Sequence, residues 1–581
     1  MKIHKARHLL SIIGCGAAAI TASSALAQQV LDPQAADEAR KSAQPAKQPD
    51  APLIKVEPAR SAAAPAADGA TVVVSQFKFS GNTAYPAEAL APLVASYLGK
   101  PVTMADLGEA ADRIKGYYRS QGWFLAQAYI PKQASSGGVI EIAVLEGRLD
   151  QVTVNVAPDA PISAARAKQL VAAHIGGGHA ITEYGIERPL LLLRDIPRVD
   201  AKSVIDPGGA PGTANIVVNV VRDPDAPVVS GRVELDNFGS RFSGSARLGA
   251  EVNINNPYGL GDHLSLRGFL ANESGNRFGR IGYSLPLGAH GTRGGISAAR
   301  LGYLMGKDFA NLKLNGIAEV LSGNVVHPFI RSKHNNVFGQ ISAQKQKLTD
   351  RNDVQATSEE HTVDSVSAQI NGDLRDRFAG LTIYRLNLTR GKLEIHDPFR
   401  MSFDQSAFGA HSAGSFTKYT LSMQRLQQLV AGVHAVFTLS AQGANKNLHP
   451  AEKFALGGES TVRAFPVGKL IGDKGYSASA ELRWGPPGLK VGPLEVVPIV
   501  FYDLGQVTRN HDNSRLKERI NSQQLSGYGV GMNTAYGEKV MFKVSVAWQG
   551  KQYLTFPSSA SSPVEEAKDG ARVWASLSYS F

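Results

Sequence analysis

The most constraining feature of this sequence is its texture after Pro224. From there to Phe581 it reads as about sixteen strand-length segments, most separated by turn residues. They begin near Val229, Ser245, Asp262, Phe278, Thr292, Leu314, His334, Thr362, Phe378, Ser415, Val433, Gly475, Leu494, Leu525, Lys539 and Ala571. Short connections such as Asn255–Asp262 alternate with long ones such as Asn445–Lys474. No uninterrupted apolar stretch approaches the roughly 20 residues a membrane-spanning helix needs, which excludes a helical membrane bundle. An even number of antiparallel strands with alternating short and long connections is the pattern of a transmembrane β-barrel. Closure would also remove the edge strands that otherwise aggregate.

The final segment has the cleanest alternation. Val573, Ala575, Leu577, Tyr579 and Phe581 form an apolar face, while Trp574, Ser576, Ser578 and Ser580 form a largely small and polar one. A strand of this kind ending in an aromatic pair, Tyr579 and Phe581, resembles the assembly signal of bacterial outer-membrane barrels. The competing reading is a half-buried strand of a soluble sandwich. In Gly527–Gly531 the alternate glycines share one face and predict a smooth wall against which something packs closely.

Residues 1–27 read as a secretory signal: Lys2, Lys5 and Arg7, then the mostly apolar Leu9–Ile20, then Ala25-Leu26-Ala27. An alternative is lipoprotein processing at Cys15, after a very short apolar run. Cys15 is the sole cysteine of the 581 residues, so cleavage after Ala27 leaves no thiol for a disulfide scaffold, a nucleophile or a cysteine-based zinc site. Residues 28–70 are expected to hold a short helix over Asp32–Ser42 and a stretched Pro/Ala-rich linker over Gln44–Ala67. Two α+β modules follow, at 71–148 and 149–224. Each has the order β-α-α-β-β, a repeat signal, and the barrel occupies 225–581.

The sequence lacks a Gly-x-Ser-x-Gly elbow, a His-Glu-x-x-His helix and a phosphate-binding Walker loop. No catalytic residue, metal site, cofactor or nucleotide is expected. The formal charge is +11, but its cations are scattered and not interleaved with aromatics, which favours anionic envelope molecules over nucleic acid.

Two short motifs remain. Val462-Arg463-Ala464-Phe465 lies in the long connection, and Phe501-x-Asp503-x-Gly505 lies on the thirteenth segment. Asp503 alternates with the apolar Val500 and Tyr502, so it should face away from them. An arginine at a loop tip can pair bidentately with such a carboxylate and fix orientation as well as distance. These motifs resemble the Val-Arg-Gly-Tyr/Phe and Phe-x-Asp-x-Gly motifs of outer-membrane transporters that carry periplasmic POTRA domains. Two POTRA-like modules before the barrel resemble, within that group, the two-partner secretion transporters. Nearly the whole chain after residue 27 takes part in the resemblance.

The resemblance implies a transmembrane β-barrel of about 16 antiparallel strands in the outer membrane of a Gram-negative bacterium. It implies that Arg463 and Asp503 meet inside the lumen. The client implied is a large β-helical exoprotein of adhesin or haemolysin type, exported without ATP by a pore that works as a monomer among outer-membrane lipids. Alternatives are an insertase for other barrels, which would be expected to carry more POTRA modules, and a passive solute channel. Ala464 stands where the resembled motif has glycine. If a left-handed residue is required there, the loop tip must be strained or shaped differently.

Overall fold

The computed structural model describes residues 54–56, 71–123, 125–133, 136–175, 182–210, 212–486, 489–516, 520–550, 553–555, 561–563 and 570–581. The signal over residues 1–27 and the helix expected over Asp32–Ser42 lie outside the described residues.

The first α+β unit follows from its periodicities. Leu107, Ala110, Ala111, Ile114 and Tyr118 recur at helical spacing and are buried on the helix Met104–Ser120. Thr103 starts that helix with a reciprocal capping box to Asp106. Against it lies a three-stranded sheet in the order Gln76–Ser80, Val139–Leu145, Gln127–Tyr129. Ile140, Ile142 and Val144 alternate inward from its central strand.

The second unit repeats the design. Thr182 caps the helix Glu183–Arg194, whose Ile186, Leu190 and Leu193 are buried against Ile216, Val218 and Val220 of the strand Thr213–Arg222. Its sheet runs Val199–Pro207, Thr213–Arg222, Arg148–Val156, and carries one further strand at its outer edge. That strand is Ile54–Val56, paired in parallel with Ser203–Ile205. The linker read as merely stretched therefore contributes backbone hydrogen bonds to the second unit. Three residues between prolines and charges are too short to show a period, which is why the pattern did not reveal them.

Sixteen antiparallel strands close the barrel. They are β1 (Val229–Asp236), β2 (Arg247–Asn255), β3 (His263–Ala271), β4 (Asn276–Leu287), β5 (Thr292–Leu304), β6 (Leu314–Arg331), β7 (Asn335–Asn352) and β8 (Thr357–Arg375). The second half is β9 (Gly380–Ile395), β10 (Gly414–Val430), β11 (Val433–Ala444), β12 (Lys474–Trp484), β13 (Leu494–Thr508), β14 (Ser522–Tyr536), β15 (Val540–Gln549) and β16 (Arg572–Ser580). Every strand begins within five residues of its expected start. β16 closes on β1, with Ser580 opposite Arg232 and Ser576 opposite Asp236. Leu248, Ile281, Leu321, Ile341, Val366, Leu386 and Leu577 point outward and are exposed, forming the apolar band that faces lipid. The walls are unequal: β1 to β3 have 8 or 9 residues, whereas β6 to β9 have 16 to 19.

The second unit sits under one side of this barrel. Arg331 Nε and Nη2 donate to the two carboxylate oxygens of Asp195 at 2.9 and 2.7 Å. Arg188 donates to the carbonyls of Pro328 and Phe329. The Lys333 amide donates to Glu187, Arg166 donates to the Pro286 carbonyl, and Asn256 donates to the Pro161 carbonyl. The barrel's contacts therefore come from the β2–β3 turn, the β4–β5 hairpin and the β6–β7 turn.

Candidate functional site

The connection from β11 to β12 does not extend into solvent. It folds back into the lumen around a small hairpin, Phe454–Leu456 with Leu470–Gly472. Its base is fixed by Asp473, fully buried, which accepts from the amides of Leu448 and His511 at 2.9 and 2.7 Å and pairs with Lys453 at 3.1 Å. Beside it Lys418 of β10 pairs with Glu452 at 2.5 Å. The His449 ring lies 4.9 Å from that of His361 on β8. Burial, with the charges of His361 and Lys453 adding to it, lowers the His449 pKa to about 3.

At the tip, Val462, Arg463, Ala464 and Phe465 are all buried. The Arg463 fork meets Asp503 on β13: Nε donates to Oδ2 at 2.8 Å and Nη2 to Oδ1 at 2.6 Å. The Arg463 backbone amide also donates to Oδ2, at 3.1 Å. Two residues of β12 complete the set, Glu481 accepting from Nη1 at 2.7 Å and Ser479 accepting from Nη2 at 2.9 Å. The guanidinium carbon lies 3.4 Å from the centre of the Phe501 ring, the geometry of a cation–π contact. Burial alone would lower the Arg463 pKa, but the hydrogen bonds and charges of Asp503 and Glu481 outweigh it and hold the side chain protonated.

Each position of the β13 motif has a separate use. Asp503 faces the lumen while Val500 and Tyr502 are exposed on the lipid face, as their alternation requires. Phe501 supports the guanidinium, and its ring covers Gly529 of β14, where a side chain would clash. Gly505 leaves room for Leu456 of the loop. Gly527 does the same for the tip: a Cβ there would stand 2.5 Å from the Ala464 Cβ. The glycine face of β14 is thus the smooth wall expected: the loop tip packs on Gly527 and the Phe501 ring of β13 on Gly529. Ala464 is absent from the residues with positive φ, so no left-handed backbone is needed and the strain considered for it does not arise.

Three partners were not anticipated from the sequence. Glu481 and Ser479 share the lumen-facing parity of β12. Trp574 on β16 donates its indole N–H to the Arg463 carbonyl at 2.7 Å. One signal was available for Trp574: it is the aromatic residue on a face otherwise made of Arg572 and three serines. Tyr579 and Phe581 lie elsewhere, on the lipid face at the seam, with ring centres 6.4 Å apart. The Phe581 amide and carbonyl pair with Gly231 of β1 at 3.0 and 2.9 Å.

Residues 212–534 match the haemolysin secretion/activation proteins ShlB/FhaC/HecB. The chain belongs to this family. Residues 72–147 match the ShlB-type POTRA domain. Among relatives, the heme/hemopexin transporter protein HuxB of Haemophilus influenzae is 27% identical over 460 residues, covering 79% of this chain and 80% of the relative. The outer membrane transporter CdiB of Escherichia coli is 25% identical over 494 residues, covering 81% and 78%. The solved structure of CdiB from Escherichia coli superposes with a TM-score of 0.67 at 23% identity, covering 97% of this chain and 98% of that one. As a ShlB/FhaC/HecB protein, the chain is a two-partner secretion transporter of the outer membrane, with its POTRA region in the periplasm, and it exports an exoprotein. The family is one of secretion channels rather than enzymes, and it favours secretion over the insertase reading.

Proposed function

We propose that this transporter keeps its lumen closed with the β11–β12 loop and opens by releasing Arg463 from Asp503. One observation carries the reading: a single buried side chain ties the loop tip to β12 and β13, and the backbone of the same residue is held by β16. On this reading 71–148 and 149–224 are two POTRA-like domains that receive an unfolded client, and 225–581 is the pore. A client strand adds to a free sheet edge, where main-chain hydrogen bonds give affinity with little demand on sequence. Among the described residues no strand pairs with the outer edges of Gln76–Ser80, Gln127–Tyr129 or Arg148–Val156, whereas the Val199–Pro207 edge is taken by Ile54–Val56. The client is a large β-helical exoprotein of adhesin or haemolysin type, drawn outward by its own folding without a nucleotide. The pore acts as a monomer surrounded by outer-membrane lipids, and Tyr579 with Phe581 marks the chain for barrel assembly.

The test compares the proteins of the culture medium and the outer membrane in cells with and without this gene. Loss of one large protein from the medium, with the membrane profile unchanged, supports a dedicated client. A joint fall of many barrel proteins in the membrane fraction overturns it.

A further inference from the structure

The chain enters the barrel from the periplasmic units, so odd-numbered strands rise toward the cell surface and even-numbered strands descend. Charged residues on the outer face then collect in one place. Arg300 of β5, Glu319 of β6, Lys345 and Lys347 of β7, Glu360 and Asp364 of β8, and Arg390, Lys392 and Glu394 of β9 share the outward parity of Leu321, Ile341, Val366 and Leu386. All lie toward the outer ends of their strands.

Register aligns them into rows. Leu321, Lys345, Asp364 and Lys392 stand opposite one another in turn, and one step outward so do Arg300, Glu319 and Lys347. Adjacent strands lie about 4.8 Å apart, so Lys345 and Lys392 flank Asp364 within about 10 Å. Below these rows the same faces carry Val325, Ile341, Ala368 and Leu388. A lipid-facing Lys or Arg is strongly unfavourable at the bilayer midplane and nearly neutral at the interface. This belt therefore sits where the apolar band of the tall wall meets the outer-leaflet headgroups.

Six of the nine charges are already paired: Arg300 with Glu319 at 3.4 Å, Lys347 with Glu360 at 2.9 Å, and Lys392 with Glu394 at 2.7 Å. Lys345 and Arg390 make no ion pair among the described residues, and both are exposed. Together with Lys392, whose pair with Glu394 is solvent-exposed and open to exchange for a phosphate, and with Asp364 between, they border a shallow groove of about 540 Å³ on the barrel exterior, floored by Gly323 and Ala343. Cations set above an apolar wall, with small residues between them, suit a ligand with phosphate groups on a broad sugar body and acyl chains beneath.

We propose that the outer face of β6–β9 is a binding site for the phosphorylated glycolipid of the outer leaflet, with Lys345, Arg390 and Lys392 receiving its phosphates. The full chain in detergent micelles is titrated with a bis-phosphorylated acyl-diglucosamine and followed by native mass spectrometry. Each basic residue near a membrane surface contributes about fivefold in affinity. The triple variant K345Q/R390Q/K392Q should therefore bind on the order of a hundredfold more weakly. The glycolipid stripped of phosphate should bind as weakly, and inorganic phosphate should not displace the intact one. Unchanged binding by the triple variant overturns the proposal. So does equal charge-dependent binding of phosphatidylglycerol, which would make the belt a general anionic-lipid surface. Displacement by inorganic phosphate would instead make it a free-anion site. Heat-modifiable gel mobility checks that the barrel is folded. Should the triple variant fail that check, R390Q alone should lose about fivefold, and no loss overturns the proposal.

Discussion

Replacing Arg463 with alanine tests whether one side chain holds the lumen loop. Asp503 is fully buried and would lose both guanidinium bonds, at 2.8 and 2.6 Å. It would keep the Ser479 hydroxyl at 2.7 Å. Glu481 suffers less, because Arg483 still pairs with it at 2.8 Å. Leaving a buried charge without its partner costs about 3 to 5 kcal/mol; with Ser479 retained and lumen water nearby, about 4 kcal/mol is expected. At 1.4 kcal/mol per decade that is about a thousandfold shift toward the undocked loop. Amide hydrogen exchange of the peptide spanning residues 457–468, measured on the whole transporter, reads that equilibrium directly. Arg463→Ala should speed exchange by about three orders of magnitude, with the β13 and β14 peptides changing far less. Arg463→Lys keeps the charge but not the fork or the aromatic stacking, so it should fall between. Exchange within threefold of the unaltered protein in Arg463→Ala would refute the single-anchor argument.

Trp574→Phe keeps an aromatic ring and removes the donor, leaving the Arg463 carbonyl unpaired; about 1 to 3 kcal/mol is expected, read as an acceleration of about fivefold to a hundredfold at the same peptide with the β1–β16 amides unchanged. His449 gives the loop a pH dependence. Its docked pKa of about 3 lies below its free value, so its contribution is complete above about pH 6.5 and is lost as pH falls toward 3. Between pH 6.5 and 5 the loop should weaken by about 2 kcal/mol, seen as faster exchange, and His449→Gln should flatten that response. Glu459 works in the opposite direction: burial raises its carboxyl pKa against the pull of Lys543 and Arg463, so its contribution is present at low pH and lost as pH rises, and Glu459→Gln separates the two. Asp195→Ala removes the bidentate pair with Arg331, and spin-label distances between the second periplasmic unit and the barrel should broaden. The charge swap Asp195→Arg with Arg331→Asp should narrow them again.

The legible parts of this protein were those written in local periods. Strand starts could be read because β-alternation and turn residues recur within ten residues, and the helix Met104–Ser120 because its buried positions repeat. β8 shows the limit: it begins at Thr357, not Thr362, because its first residues are polar and pair before any alternation is visible. Arg463 and Asp503 were legible as a pair only because each sits in a recognisable motif. Trp574 was not, since its partner lies 111 residues away and the two meet only when the barrel closes. The exterior charges of β5–β9 looked scattered for the same reason: register, set by the whole sheet, places Lys345 beside Asp364 and Lys392.

The attachment of the second periplasmic unit has a mechanical consequence. Its fixing points lie at the β2–β3 turn, the β4–β5 hairpin and the β6–β7 turn, an arc rather than a line. Supports on an arc resist tilting about two axes, whereas supports on a line leave one axis free. On the proposed reading, a pull on a client held by that unit is delivered as torque to β2–β7, while among the described residues none of these fixing points lies on the opposite rim, beneath the Asp503 wall. Among the described residues, the braced half of the barrel and the half that carries the Arg463–Asp503 anchor are thus different halves.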